Sequence, residues 1–165
     1  MELLIVRHAI AFDSDARRWP DDGERPLSPQ GIARAEKAAA GMKQLVRPPA
    51  RVLTSPLTRA RQTAAILAER AGWPKAVDCA ELAPGVSPEA LFAVLRRLPE
   101  ERIAVVGHEP GLGRLVAAAL PGAPAAQGFR LKKMGAALLI FQGAARVRGA
   151  HLTWLLPARV LRAAR

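Results

Sequence analysis

Uncharged runs alternate with helix-period stretches along this chain. Leu3-Leu4-Ile5-Val6 and Ile103-Ala104-Val105-Val106 carry no polar residue and do not alternate. They read as strands buried on both faces, the habit of a parallel sheet. Strands are expected over Glu2–Arg7, Arg51–Thr54, 75–79 (a weaker signal) and 102–106. Helices with apolar positions at i, i+3 and i+4 are expected over 28–46, 56–71 and 88–98. The starts share one device: Ser28-Pro29, Ser55-Pro56 and Ser87-Pro88 each place serine at the N-cap and proline at the first helical position. Gly31 and Gly41 weaken the first helix locally. A further helix runs from Pro110 to Ala119 and stops at Pro121-Gly122. Residues 121–128 form a small-residue loop, and 136–142 and 150–155 read as two more strands, a hairpin across 143–149. The tail, 159–165, is a short helix or a frayed end. The alternation of strand and helix predicts an α/β sheet. The 9–27 connection is long and acidic, with Asp13, Asp15, Asp21, Asp22 and Glu24. Such a loop is often a lid, and this one starts beside His8.

Composition narrows the classes. The 165 residues suit one domain, 1–165, and half of them are apolar, so a packed core is expected. The single cysteine, Cys79, excludes an internal disulfide framework and a cysteine-built zinc site, and reads as a small buried hydrophobe. No apolar run is long enough for a membrane span or a signal h-region, so a cytoplasmic protein without membrane contact is expected. The formal charge is +11 and is unevenly spread: after Glu109 there is no carboxylate, but nine lysines and arginines. A basic surface speeds encounter with anionic partners without choosing among them, and a merely solvating face is an equal alternative.

The candidate chemistry lies at strand ends. Arg7-His8 follows the first strand and Gly107-His108 the fourth, the ends where open α/β sheets bind ligands. Ser55-Pro56-Leu57-Thr58-Arg59 leaves the second strand and sets Arg59 in the first turn of a helix, where free N–H groups and a guanidinium favour an anion. A neutral imidazole can attack phosphorus and carry the phosphoryl group, while cations neutralise its equatorial oxygens. Alone, each residue has a plain alternative: a hydrogen-bonded structural histidine, or a surface arginine like Arg61 and Arg70 on the same helix. Together they point to phosphoryl transfer. His151 reads as a strand residue outside the site. Trp19, Trp73 and Trp154 are too scattered to stack bases, so nucleic acid is not an expected partner despite the charge. Lys132-Lys133 reads as an exposed pair or a contact for an acidic partner. No metal-ligand spacing or glycine-rich phosphate cradle occurs, so neither metal nor cofactor is expected.

Leu-Ile-Val-Arg-His-Ala at 4–9, Ser-Pro-Leu-Thr-Arg-Ala-Arg-Gln-Thr at 55–63 and Val-Gly-His-Glu-Pro-Gly at 106–111 resemble the histidine phosphatase (phosphoglycerate mutase-like) superfamily. Short length, no cap insertion and Arg-Pro-Leu-Ser-Pro-Gln-Gly at 25–31 resemble its SixA branch, the phosphohistidine phosphatases. The resemblance spans essentially the whole chain. It implies a three-layer α/β/α sandwich with a mostly parallel sheet. It also implies His8 as the phosphorylated nucleophile, with Arg7, Arg59 and His108 holding the phosphoryl group. Ala9 stands where the superfamily usually has glycine, which demands a backbone angle open to L-residues. The general acid is loosely matched: Glu81 sits near the expected region, Asp13 and Asp15 are other candidates, and each is also readable as a solvated carboxylate.

The missing acid bears on substrate. A phosphomonoester expels an alkoxide, for which a proton donor is worth ~10²–10⁴ in rate. Phosphohistidine expels imidazole, whose conjugate acid has a pKa of ~6.5. The expectation is therefore a phosphatase acting on a histidine-phosphorylated protein, such as a phosphotransfer protein in signal transduction. Its rivals are a small-molecule phosphomonoesterase of the same superfamily and a non-catalytic basic module for anionic partners.

Overall fold

The computed structural model describes residues 1–122 and 128–164. Six strands form one sheet in the order β3-β2-β4-β1-β5-β6. They are β1 (Glu2–Arg7), β2 (Arg51–Thr54), β3 (Val77–Asp78), β4 (Arg102–Gly107), β5 (Ala136–Phe141) and β6 (Ala150–Leu156). β1 through β4 are mutually parallel, β5 runs antiparallel to β1, and β6 pairs antiparallel with β5. The helices are α1 (Pro29–Leu45), α2 (Thr58–Ala71), α3 (Pro88–Leu95), α4 (Gly111–Ala119) and α5 (Ala158–Ala163).

Chain direction explains the layers. The crossovers carrying α1 and α2 run outward from β1 toward β3, whereas the one carrying α3 returns to β4 between β2 and β1. Right-handed crossovers in opposite directions put their helices on opposite faces. Leu4, Val6, Val52 and Ala104 pack with α1, α2 and α5, while Leu3, Ile5, Leu53 and Ile103 pack with α3 and α4. The result is the expected α/β/α sandwich, and it accounts for uninterrupted apolar runs in β1 and β4.

Several local expectations need correction. The weak strand at 75–79 shrinks to Val77–Asp78, an edge held by its pairing with β2. Helix 88–98 ends at Leu95, and helix 56–71 begins only at Thr58. Ser28 caps α1 by accepting from the Gly31 amide at 3.0 Å. Ser87 precedes α3 without a side-chain cap, and Ser55 is not the N-cap of α2, which begins at Thr58 after Leu57; the Ser55 hydroxyl instead shares a hydrogen bond with His108. Gly31 and Gly41 do not interrupt α1. They let neighbouring backbone in: a Cβ at Gly31 would meet the Ile10 carbonyl oxygen at 1.8 Å, and one at Gly41 that of Leu161 at 1.7 Å. The small-residue loop expected over 121–128 falls, for 123–127, outside the described residues. Among the described residues no helix is long and apolar enough to cross a membrane.

The 9–27 connection is not a structureless flap. Ala11 bridges Leu27, the Phe12 amide donates to Pro26 O at 3.1 Å, and the Ser28 amide donates to Ile10 O at 3.0 Å. A short 3-10 turn, Asp22–Glu24, closes its acidic half.

Candidate active site

β2, β4 and β1 are neighbours, so the residues just past their carboxyl ends lie in a row: Ser55, His108 and His8. The ladder extends one step beyond the strands, with the His8 amide donating to Gly107 O and the Ser55 amide to Val106 O. This backbone scaffold brings the imidazoles of His8 and His108 together, ring centroids 4.8 Å apart. Both side chains are buried.

The orientation of His8 is fixed by its surroundings. Its Nδ1 lies 2.7 Å from the carbonyl oxygen of Ala9. A carbonyl only accepts, so Nδ1 carries the proton and Nε2 keeps its lone pair. Ala9 is held in turn, its amide donating to Thr63 Oγ1 at 3.0 Å, and that hydroxyl donates to Arg59 O at 2.7 Å. The φ of Ala9 is not positive, so its methyl is accommodated without strain. Burial, then the fields of Lys133, His108 and Arg59, lower the His8 pKa to about 2. Burial and the same cationic surroundings lower that of His108 to about 3. Both imidazoles are therefore neutral at physiological pH, as a nucleophile must be.

Arg59 is buried, unlike Arg61 and Arg70 on the same helix, which pair outward with Asp78 and Glu36. Its guanidinium donates to Asp22 O at 2.7 Å and meets Asp22 Oδ2 at 3.1 Å. Arg7, half-buried at the last position of β1, donates to Leu131 O at 2.8 Å. Burial pushes both guanidiniums below their ordinary value; the neighbouring Arg25 adds to this at Arg59, and Arg130 at Arg7. Arg7 Nε, Arg59 Nε and His108 Nδ1 are buried without a hydrogen-bond partner. Buried polar nitrogens without partners are costly, and at this cluster they suit an anionic ligand. His108 is held from its other side, Nε2 sharing a 2.8 Å hydrogen bond with Ser55 Oγ.

Glu81 lies in a 3-10 turn, Ala80–Leu82, and lines one cleft together with His108, Leu82 and Leu112. Its Oε2 accepts from the Cys79 thiol at 3.3 Å. Burial, then that carboxylate, raises the Cys79 pKa to about 11, so the thiol stays protonated as donor. Asp13 and Asp15 are exposed, and Asp15 Oδ1 accepts from the Arg17 amide. Neither joins the cluster. His151 is exposed on β6. Among the described residues no group of three or more His, Cys, Asp or Glu is placed to hold a metal.

Lys133 is not the exposed lysine or surface contact expected from its neighbour. Lys132 is exposed, but Lys133 is half-buried with Nζ 3.2 Å from His8 Nε2. The turn that aims it inward depends on Met134 at φ 57°, whose amide points at the carbonyls of Arg7 and His8. Glu109 braces the same segment, accepting from the Leu131 amide at 2.7 Å and the Gly113 amide at 3.2 Å. Asp22 and Ser55 were likewise not singled out as partners of Arg59 and His108. Methionine is not a residue type that announces a positive φ, so the turn at Met134 left no mark in the sequence.

Comparison with known proteins agrees with this geometry. The sequence model of the family described as "Histidine phosphatase superfamily (branch 1)" matches residues 3–83. A protein of uncharacterised function from Picosynechococcus sp. is 39% identical over 170 residues, covering 95% of this chain and all of that protein. Another from Mycobacterium tuberculosis is 33% identical over 122 residues, 70% of this chain and 75% of its own. The solved structure of the protein histidine phosphatase SixA complexed with tungstate superposes with a TM-score of 0.81 at 27% identity, covering 98% of this chain and 99% of that one.

Proposed function

The chain belongs to the histidine phosphatase superfamily, in its SixA-type branch, and is a phosphatase; on that premise we propose that its substrate is a phosphohistidine carried by another protein. The observation that carries the reading is the state of His8: neutral, its Nδ1 proton spent on Ala9 O and its Nε2 lone pair kept, in a cluster where Arg7, Arg59 and His108 each hold a buried nitrogen without a partner. In this reading Nε2 attacks phosphorus in line, and the bond from phosphorus to the substrate nitrogen breaks with its electron pair going to the leaving ring. With its distal nitrogen protonated, that ring departs as neutral imidazole. Water then attacks the phosphohistidine enzyme, the P–Nε2 bond breaks, and the pair returns to Nε2 as inorganic phosphate leaves. Arg7, Arg59 and His108 neutralise the oxygens in both steps.

Among the described residues no carboxylate hydrogen-bonds to His8 or His108, which suits a leaving group that needs little protonation. The similarity to the protein histidine phosphatase SixA supports the same substrate class. A phosphomonoesterase reading has one observation in its favour, the cleft that Glu81 shares with His108, where a carboxylic acid would reach an alkoxide. The mycobacterial glucosyl-3-phosphoglycerate phosphatase shares the fold, with a TM-score of 0.68 at 19% identity. Phosphate release from a histidine-phosphorylated carrier protein, measured beside a panel of phosphomonoesters, decides between them. Preference for the P–N substrate is expected. Preference for one ester, lost in Glu81→Gln, would reverse the reading.

A further inference from the structure

Lys133 lies outside the motifs shared with the family and is, among the described residues, the one side chain within hydrogen-bond distance of the attacking atom of His8. We propose that Lys133 is a catalytic residue of this enzyme, a fifth ligand of the phosphoryl group that takes up an equatorial oxygen as the bond to His8 forms. The inference rests on His8 being the nucleophile, but not on which phosphorylated substrate is used.

Its basis is a conflict over one lone pair. Nδ1 of His8 is a donor to Ala9 O, so the Nε2 pair is what the Lys133 ammonium donates to across 3.2 Å. Attack on phosphorus converts that same pair into the P–N bond. The ammonium then loses its acceptor while half-buried among cations, and an oxygen on the phosphorus now bonded to Nε2 is the nearest replacement. The interaction with phosphoryl oxygen arises only as the new bond forms, which is the kind that lowers a barrier rather than merely binding substrate. Phosphorus takes the ammonium's place on the Nε2 axis, so Nζ moves aside on the nucleophile's side of phosphorus, where the equatorial oxygens lie and the leaving group does not.

The segment is built to hold it there. Leu131 O accepts from Arg7, the Leu131 amide donates to Glu109, and the Met134 amide reaches back to the ends of β1. The lysine therefore sits between the phosphoryl-binding Arg7 and the residue after His108. The charged and titratable groups that face it are Arg7 and His8 from β1, Arg59 from α2, Asp22 and Arg25 from the acidic loop, and His108 after β4. Burial, then Arg7, Arg59 and Arg25, lower the ammonium to about 8. The arginines stay charged well above that pH and the histidines stay neutral, so Lys133 is the member of this cluster that titrates there.

The test compares the wild type with Lys133→Met and Lys133→Arg, each first shown to be folded by its thermal unfolding. Phosphate release from a histidine-phosphorylated carrier protein and from the phosphomonoester panel is followed between pH 6 and 10, and inorganic phosphate binding is titrated calorimetrically at fixed pH. The wild type is expected to lose kcat/KM above pH 8. Lys133→Met should lose kcat/KM by ~10–10²-fold with no such limb, and bind phosphate more weakly. Lys133→Arg should keep phosphate binding and move the limb beyond pH 10. Wild-type rates, limb and phosphate affinity in Lys133→Met would overturn the proposal. A wild type active only on esters would overturn the phosphohistidine reading and leave this one standing. If the wild type releases no phosphate from either class, the functional reading fails, and unchanged phosphate affinity in Lys133→Met then overturns this inference as well.

Discussion

Arginines crowd both ends of the central strands and are handled in opposite ways. At the amino end, Arg102 pairs with Glu2 across the β1–β4 ladder, and Arg51 donates to Glu100 at 2.6 Å. Both of these arginines have a carboxylate partner. At the carboxyl end, Arg7, Arg59 and Lys133 surround two neutral imidazoles, and Asp22 is the carboxylate in contact with Arg59. Three nitrogens at that end have no partner. The paired end is a surface arrangement whose net worth is small. The unpaired end is held in place by the fold although its charges repel, and such local conflict marks a functional site. What the sheet gives up in stability there is available as affinity for an anion.

This contrast can be broken at several points. Removing the proposed nucleophile, His8→Ala, should lower phosphate release by at least ~10³-fold, measured in single-turnover assays with phosphorylated substrate. Arg59→Ala should follow with a loss of ~10²–10³-fold, whereas Arg102→Met at the other end should stay within about twofold. Equal losses in both variants would erase the distinction between the ends.

Acid titration sharpens the comparison further. His8 and His108 have folded values of about 2 and about 3, both depressed from 6.5. Below pH 6.5 the unfolded chain binds protons that the folded chain refuses, so stability falls as pH falls from there to about 3. The slope should approach ~1.4 kcal/mol per pH unit for each histidine, read from denaturant midpoints. The double variant His8→Gln, His108→Gln should flatten that window; an unchanged slope would assign it to the carboxylates. Smallest of all, Arg102→Met should shift stability by only ~1 kcal/mol or less, since its pair with Glu2 is partly exposed.

The strands and the motif residues were readable for a physical reason. β1 and β4 are buried on both faces, so their apolar runs carry no competing signal, and their ends mark where His8 and His108 emerge. Arg59 was legible through its place in the first turn after β2. Lys133 was not. Adjacent lysines look alike in a sequence, and what separates them is a left-handed turn at Met134 braced by Arg7 and Glu109, contacts more than twenty residues away in the chain. Ser55 misled for a related reason: a serine before proline fits a helix cap, but His108 reaches its hydroxyl from the neighbouring strand. Gly31 and Gly41 looked like weak points because the helix was read alone, without the Ile10 and Leu161 carbonyls that press against it.

The acidic loop has a closed neck. Ala11 bridges Leu27, and the Arg25 guanidinium donates to Phe12 O at 2.7 Å. Beyond that neck the tip packs on itself, Arg18 lying 4.5 Å over the Phe12 ring and 5.1 Å over Trp19. Because the ends are already joined, lengthening the tip costs little chain entropy, ~0.6 kcal/mol for each doubling. An insertion at the neck would instead carry Asp22 away from Arg59. The loop thus divides into a stretch free to diverge and a stretch that is not, and evolution can remodel the rim of this site without touching its chemistry.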